Sequence, residues 1–176
     1  MTMLPMVETT SSFGAKNFLV LTAAPASAAA ATLAEATAGK EITCHLYATS
    51  VLFQATQSSF TPERHECQTV VEERLGSSTV PLQQVAYSWN FQTAGTPGAD
   101  GNEAYEALPE GTERWILARY GIANGAARAV GQRYKLYRIK CGKQVEAEAG
   151  SDQGAELAIN QMWELLDTPT TGAFAA

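Results

Sequence analysis

Two histidines, three cysteines and a few neighbouring carboxylates are the groups in this 176-residue chain that could act on a substrate or hold a metal. His45 directly follows Cys44. In an extended segment adjacent side chains point to opposite faces, so these two do not make a thiolate–imidazole pair. His65 and Cys67 share a face if their segment is extended, and with Glu63 they make half of a metal site. A structural zinc centre takes four ligands. Nothing in the sequence supplies the others, so packing at a strand end is their expected role. Glu72 and Glu73 show no acid/base pairing, and Glu103 and Glu106 fit the first turn of a helix. The phosphate-binding loop, the serine nucleophile elbow and the paired-histidine zinc motif do not occur. Neither catalysis, a cofactor nor a metal is expected.

Six cations follow one another with no acid between them: Arg128, Arg133, Lys135, Arg138, Lys140 and Lys143. Acid-rich stretches, Asp100–Glu113 and Glu146–Glu156, flank them. Such a run is a solvated strand face paired with acidic neighbours, a surface complementary to another copy, or a nucleic-acid patch. The net charge of −6 argues against the last, because sequence-independent DNA binding needs a Lys/Arg excess to displace counterions. Trp89, Trp115, Trp163, Tyr87, Tyr120, Tyr134 and Tyr137 are able to stack on bases, but at this charge packing and subunit contact are the better use of them. Charged residues make up only 17% of the chain, which suits a surface that becomes interface and equally a quiet monomer. Cys44, Cys67 and Cys141 are odd in number and lack C-x-x-C spacing, so buried free thiols made in a reducing cytoplasm are expected. The apolar stretches Phe18–Leu21 and Ala28–Ala31 are too short for a signal peptide or a membrane span. A soluble product with no membrane partner follows.

The elements that would position these groups are mostly strands. Residues 1–15 read as a flexible arm, 16–167 as one β domain, and 168–176 as a flexible tail. A strand is expected at Lys16–Thr22, followed by one or two helical turns ended by Gly39. Glu41–Tyr47 alternates as a strand, and Thr49–Thr56 reads as extended. Gln57–Glu66 reads as a loop and Gly76–Ser78 as a turn. Val85–Gln92 is the cleanest strand, with Val85, Tyr87, Trp89 and Phe91 on one face. Asn102 is placed to cap a short helix over Glu103–Leu108. Ala155–Asp167 has strand spacing but helical propensity, and stays open between the two. The sum is a mostly-β sandwich or small barrel with one short flanking helix.

Two strands break the rule of one wet face. In Glu113–Gly121, Trp115, Leu117 and Arg119 fall on one side and Ile116, Ala118 and Tyr120 on the other. In Arg133–Gly142, Tyr134 and Leu136 share a face, after which the apolar phase switches to Tyr137, Ile139 and Cys141. A half-exposed antiparallel sheet alternates apolar and polar residues. The second face must therefore meet protein, and another copy of the chain is the expected cover.

In order and spacing, these segments resemble the major tail tube proteins of long non-contractile-tailed bacteriophages, especially those of actinobacteria. The matching pieces are Ala34–Gly39 leading into Ile42–Tyr47, then Arg64–Cys67, the strand Tyr87–Phe91, and Tyr105–Thr112. Arg119-Tyr120-Gly121 and Ile139–Gly142 complete the set. The resemblance implies a two-sheet β-sandwich whose inner sheet completes a barrel on oligomerisation. It implies hexameric rings stacked into a tube around a tape-measure protein, with DNA passing through at ejection. Localisation would be the virion tail, after synthesis in the host cytoplasm. About 24 strands near 4.8 Å apart, tilted about 40°, close a circle roughly 45–50 Å across. That leaves room for a duplex. A basic lining would hold DNA, so the Arg128–Lys143 run is expected on neighbouring subunits or the outside, with Glu72 and Glu73 as lumen candidates. A tail terminator, a decoration protein or a monomeric binding module are the alternatives.

Overall fold

The computed structural model describes residues 14–47, 51–63, 66–67, 70, 73–93, 101–149 and 156–176. In chain order the elements are β1 (Lys16–Leu21), α1 (Leu33–Ala38), β2 (Lys40–Glu41), β3 (Thr56–Phe60), β4 (Arg74–Thr79), β5 (Gln83–Ser88), α2 (Glu103–Ala107), β6 (Glu113–Tyr120), β7 (Arg133–Ala149), β8 (Glu156–Leu165) and β9 (Thr170–Ala173). The fold is a mostly-β sandwich of curled antiparallel sheets. It carries two short helices where the sequence led us to expect one. One sheet runs β2-β1-β6-β7-β8-β5 with β9 also on β7, and the other is the β3-β4 hairpin.

The path of β7 accounts for the phase switch in its sequence. Residues Arg133–Leu136 pair with β9, and Lys135–Lys140 pair with β6 on the opposite edge. From Ile139 onward β8 takes the place of β9. Side chains alternate along a strand, so Tyr137, Ile139 and Cys141 enter a first core while Tyr134 and Leu136 enter a second on the reverse face. Strands β1 and β6 contribute to both. Phe18, Val20, Ile116 and Ala118 face the first core, and Leu19, Leu21 and Leu117 face the second.

Covering the second face is where expectation and structure part. Ala31, Ala36 and Phe174 of the same chain close it, with no second copy required. Helix α1 forms because Thr32 and Glu35 make a capping box: the Thr32 hydroxyl accepts from the Glu35 N–H at 3.2 Å, and the Glu35 carboxylate accepts from the Thr32 N–H at 2.7 Å. Tyr134 anchors the alanine run, accepting from the Ala31 N–H at 2.7 Å and donating to the Ala28 carbonyl at 2.9 Å. The expected tail at 168–176 is instead β9 followed by buried Phe174. Gly172 lets β9 lie flush, since a Cβ there would stand 2.5 Å from the Ala29 carbonyl oxygen.

A polar cluster holds the first core together. The β7–β8 register shifts between Cys141 and Gln144, and a bulge of this kind removes carbonyls from the ladder. Gln161, fully buried, donates to the Gly142 carbonyl at 2.9 Å and to the Leu108 carbonyl at 3.0 Å. Its own oxygen accepts from Trp163 Nε1 at 3.0 Å and the Tyr87 hydroxyl at 3.3 Å. Gln144 donates to the Tyr87 hydroxyl and to the Tyr105 and Leu108 carbonyls. Thus the open choice resolves as strand over Glu156–Leu165, with Gln161 turned inward. A Cβ at Gly142 would stand 2.6 Å from the Met162 carbonyl oxygen, so the bulge needs glycine there.

Other local expectations shift for identifiable reasons. Of the expected strand Glu41–Tyr47 only Glu41 pairs with β1, together with Lys40 before it. The Thr43 hydroxyl then accepts the Phe18 N–H at 2.8 Å, and Thr43–His45 turns as a 3-10 helix. Leu46 goes on to bridge Tyr87, and the Tyr47 N–H reaches the Ala86 carbonyl. The segment therefore leaves the β1 edge and finishes against β5, tying the two ends of the strand order. Gln57–Phe60 belongs to β3 rather than to a loop, Gly76–Ser78 lies within β4, and β5 ends at Ser88. Asn102 does not cap α2 with its side chain. It accepts from the Asn90 N–H at 2.8 Å and donates to the Asn90 carbonyl and the Thr93 hydroxyl.

Gln161→Leu strands the Gly142 carbonyl and the Trp163 indole in a dry core. At about 1–3 kcal/mol for each buried orphan group, it should cost about 3 kcal/mol in urea unfolding of the unassembled chain. Phe174→Ala should cost about 3–5 kcal/mol and expose α1 to proteolysis, which a truly loose tail would not do.

Candidate assembly surfaces

The side chains with chemical potential are put to structural use. His45 Nε2 lies 3.1 Å from Glu103 Oε2 and Nδ1 lies 3.2 Å from Ser88 Oγ, so one imidazole ties the closing segment to β5 and to the first turn of α2. The Ser88 hydroxyl also donates to the Gly101 carbonyl at 3.3 Å. Burial pushes the Cys141 thiol up to about 11, against a smaller opposing effect of the Thr112 hydroxyl. It stays protonated and unreactive at neutral pH. Cys44 and Cys67 are exposed rather than buried as free thiols were expected to be. Among the described residues no group of three His, Cys, Asp or Glu is placed to hold a metal. His65, and with it the Glu63/His65/Cys67 half-site, lies outside the described residues.

The basic run does not form one stripe. Arg128 pairs with Glu41 at 2.6 Å. Arg138 spans Glu113 at 2.8 Å and Asp167 at 2.9 Å, above the Trp115 ring. Lys140 stands opposite Glu113 on one neighbouring strand and Glu164 on the other, the arrangement in which cross-strand charges attract. Arg133, Lys135 and Lys143 are exposed. Arg133 and Lys135 share a face of β7, while Arg138 and Lys140 occupy the reverse, so the cations are divided between two surfaces.

Two surfaces carry less charge and fewer partners. The first is the β3-β4 hairpin, in which every residue of β3 is exposed and all but one residue of β4. Its apolar side chains stand in solvent: Phe60 is 53% exposed and Leu75 78%. A lone two-stranded ribbon is marginal in water, and the ladder of Thr56 with Thr79 and Ser58 with Ser77 adds only exposed hydrogen bonds. Glu73 sits at the foot of this hairpin and accepts from the Ser59 hydroxyl, while Glu72 lies outside the described residues.

The second is the outer face of β5, β8 and the far half of β7. Register places Val145, Asn160 and Ala86 in one row and Ala147, Ala158 and Ser88 in the next, with Gln84 beside Met162. None of these eight is ionisable, but Glu156 and Glu164 lie at the two ends of the same side of β8, Glu164 beside Lys140, and Ala158 is buried. The β7 edge beyond Gly142 that faces away from β8 has no strand partner among the described residues. Sequence reasoning missed this face, because the β8 pattern was ambiguous and the bulge inverts the phase of β7 at 142–143.

Glu103 should make stability acid-sensitive. Burial alone would raise its carboxyl, but the backbone N–H groups of Glu103 and Gly101, with His45 and Lys40, outweigh it and hold the group below 4.5. A depressed carboxyl contributes stability above its unfolded value and loses it as pH falls through the folded value. Wild type should therefore lose more stability than Glu103→Gln below about pH 4.5, read by thermal unfolding across pH, and coincident acid limbs would remove the pair from the account.

A family model described as phage tail tube protein matches residues 3–162, ending within β8. No curated protein matches the chain.

Proposed function

The chain belongs to the phage tail tube proteins, and on that premise we propose that it forms hexameric rings that stack into the tube of a long non-contractile tail. It is a structural protein of the virion tail. No helix among the described residues is long and apolar enough to cross a membrane. In the proposed assembly the tube encloses a tape-measure protein and later conducts DNA during ejection, and its role is architectural rather than catalytic.

The observation that carries this reading is the outer face of β5-β8-β7, uncharged in its middle rows and ending in an open strand edge. An unpaired edge invites another strand, and a neighbouring copy continues the sheet around a ring. With that face turned inward, duplex DNA meets Gln84, Val145, Asn160 and Met162, with Glu156 and Glu164 at the margins, so its phosphates are not held. Glu73 remains a second lining candidate. Arg128, Arg133, Lys135, Arg138, Lys140 and Lys143 are assigned to subunit contacts or the outside. The β3-β4 hairpin, with Phe60 and Leu75 bare, is assigned to contact between successive rings.

Electron microscopy of the purified chain should show stacked rings with sixfold averages, whereas a monomer that persists at high concentration would refute the tube reading. The double variant Phe60→Ser, Leu75→Ser should leave subunit stability within about 0.5 kcal/mol, as exposed substitutions usually do, yet shorten or abolish tubes. Normal tubes from that variant would remove the hairpin from the ring contact.

A further inference from the structure

Loop residues 124–128 and the turn Glu41–Cys44 enclose a cleft of about 330 Å³ that also takes in Asn17 and Arg119. Arg119 is only 3% exposed. Its described partners are the Gln132 side-chain oxygen at 3.0 Å and the Ala126 carbonyl at 3.2 Å, neither of them charged. Among the described residues no carboxylate lies within ion-pair distance of it. Arg128 lines the same cleft, and its buried Nε has no hydrogen-bond partner. Glu41, paired to Arg128, is the one acid lining the cleft. Two guanidiniums therefore face one carboxylate. Burial holds Arg119 below its ordinary value, the Arg128 charge adds to that, and Glu41 opposes both.

A buried cation without a counter-charge is costly, and guanidinium forks match the planar oxygens of carboxylate and phosphate. We propose that this cleft is an oxyanion site, in which Arg119 and Arg128 receive a carboxylate or phosphate group from outside the subunit. The acid side chains of a second copy are one source, since the chain carries 18 acids against 12 Lys and Arg. Free phosphate is the other. The site itself stands whether or not the chain forms tubes. Only the choice of source draws on assembly.

The test titrates inorganic phosphate into the unassembled full chain, with sodium chloride at equal ionic strength as the screening control, and follows the thermal midpoint and phosphorus NMR line width. Arg119 is left intact because its burial makes it a folding risk. Wild type should gain in midpoint with phosphate, Arg128→Gln should lose that gain, and Glu41→Gln should enlarge it by removing the internal competitor. A merely structural ion pair would instead make both variants respond alike. No phosphate response in wild type and Glu41→Gln, both folded by circular dichroism, overturns the site. Light scattering then identifies the source. Assembly slowed several-fold by phosphate and by Arg128→Gln assigns the cleft to a carboxylate of a second copy. Assembly indifferent to both assigns it to free phosphate. Failure of every sample to assemble bears on the tube reading and leaves the titration standing.

Discussion

Strand β7 must bury opposite faces at its two ends, and the rest of the molecule is arranged around that demand. Near Tyr134 and Leu136 it lies between β6 and β9 under α1, and beyond Ile139 it lies against β8. A regular strand cannot simply continue from there, because residues 142 and 143 together stand opposite Met162 and the one extra residue disturbs the ladder. Gln161 absorbs the disturbance by taking the Gly142 carbonyl, and it couples the bulge to Trp163, Tyr87 and the end of α2. Polar side chains in a dry core are stabilising only when fully partnered, and here one amide satisfies groups from four segments.

Much of this is legible in the sequence. The mostly-β class, the helix at Glu103, the strands after Glu113 and Arg133, and the change of apolar phase at Tyr137 all lie in local pattern. Periodicity reports that a face is covered, but not by what. Leu117 and Leu136 pointed to a cover that lay far away in sequence, in Ala31, Ala36 and Phe174. The Thr32–Glu35 box was readable as T-x-x-E, a signal that composition-led reading of the alanine-rich stretch passed over. For Gln161 no local signal existed, since a glutamine with helical propensity gives no hint of a buried hub.

The candidate surfaces divide in the same way. The cations of β7 look like a single patch when written in a line, yet alternation and the pairing of Arg138 and Lys140 with Glu113, Glu164 and Asp167 split them between faces. Arg119 appeared as a companion of Trp115 and Leu117, and only the loop before β7 folding back on it turns it into the wall of a cleft. The outer face of β5, β8 and β7, uncharged in its middle rows, depends on register across three strands, information that no single segment contains.

Phe174 and the backbone pairing of Ala175 with Ala31 and Leu33 have a further consequence for timing. The cover of the second core joins positions separated by most of the chain, and contacts of that span form late and slowly. A nascent chain that has not yet released these residues from the ribosome leaves Leu19, Leu117 and Leu136 without their lid. Completion of this half therefore waits on Phe174, so closure of the second core follows the pairing of the neighbouring strands rather than leading it.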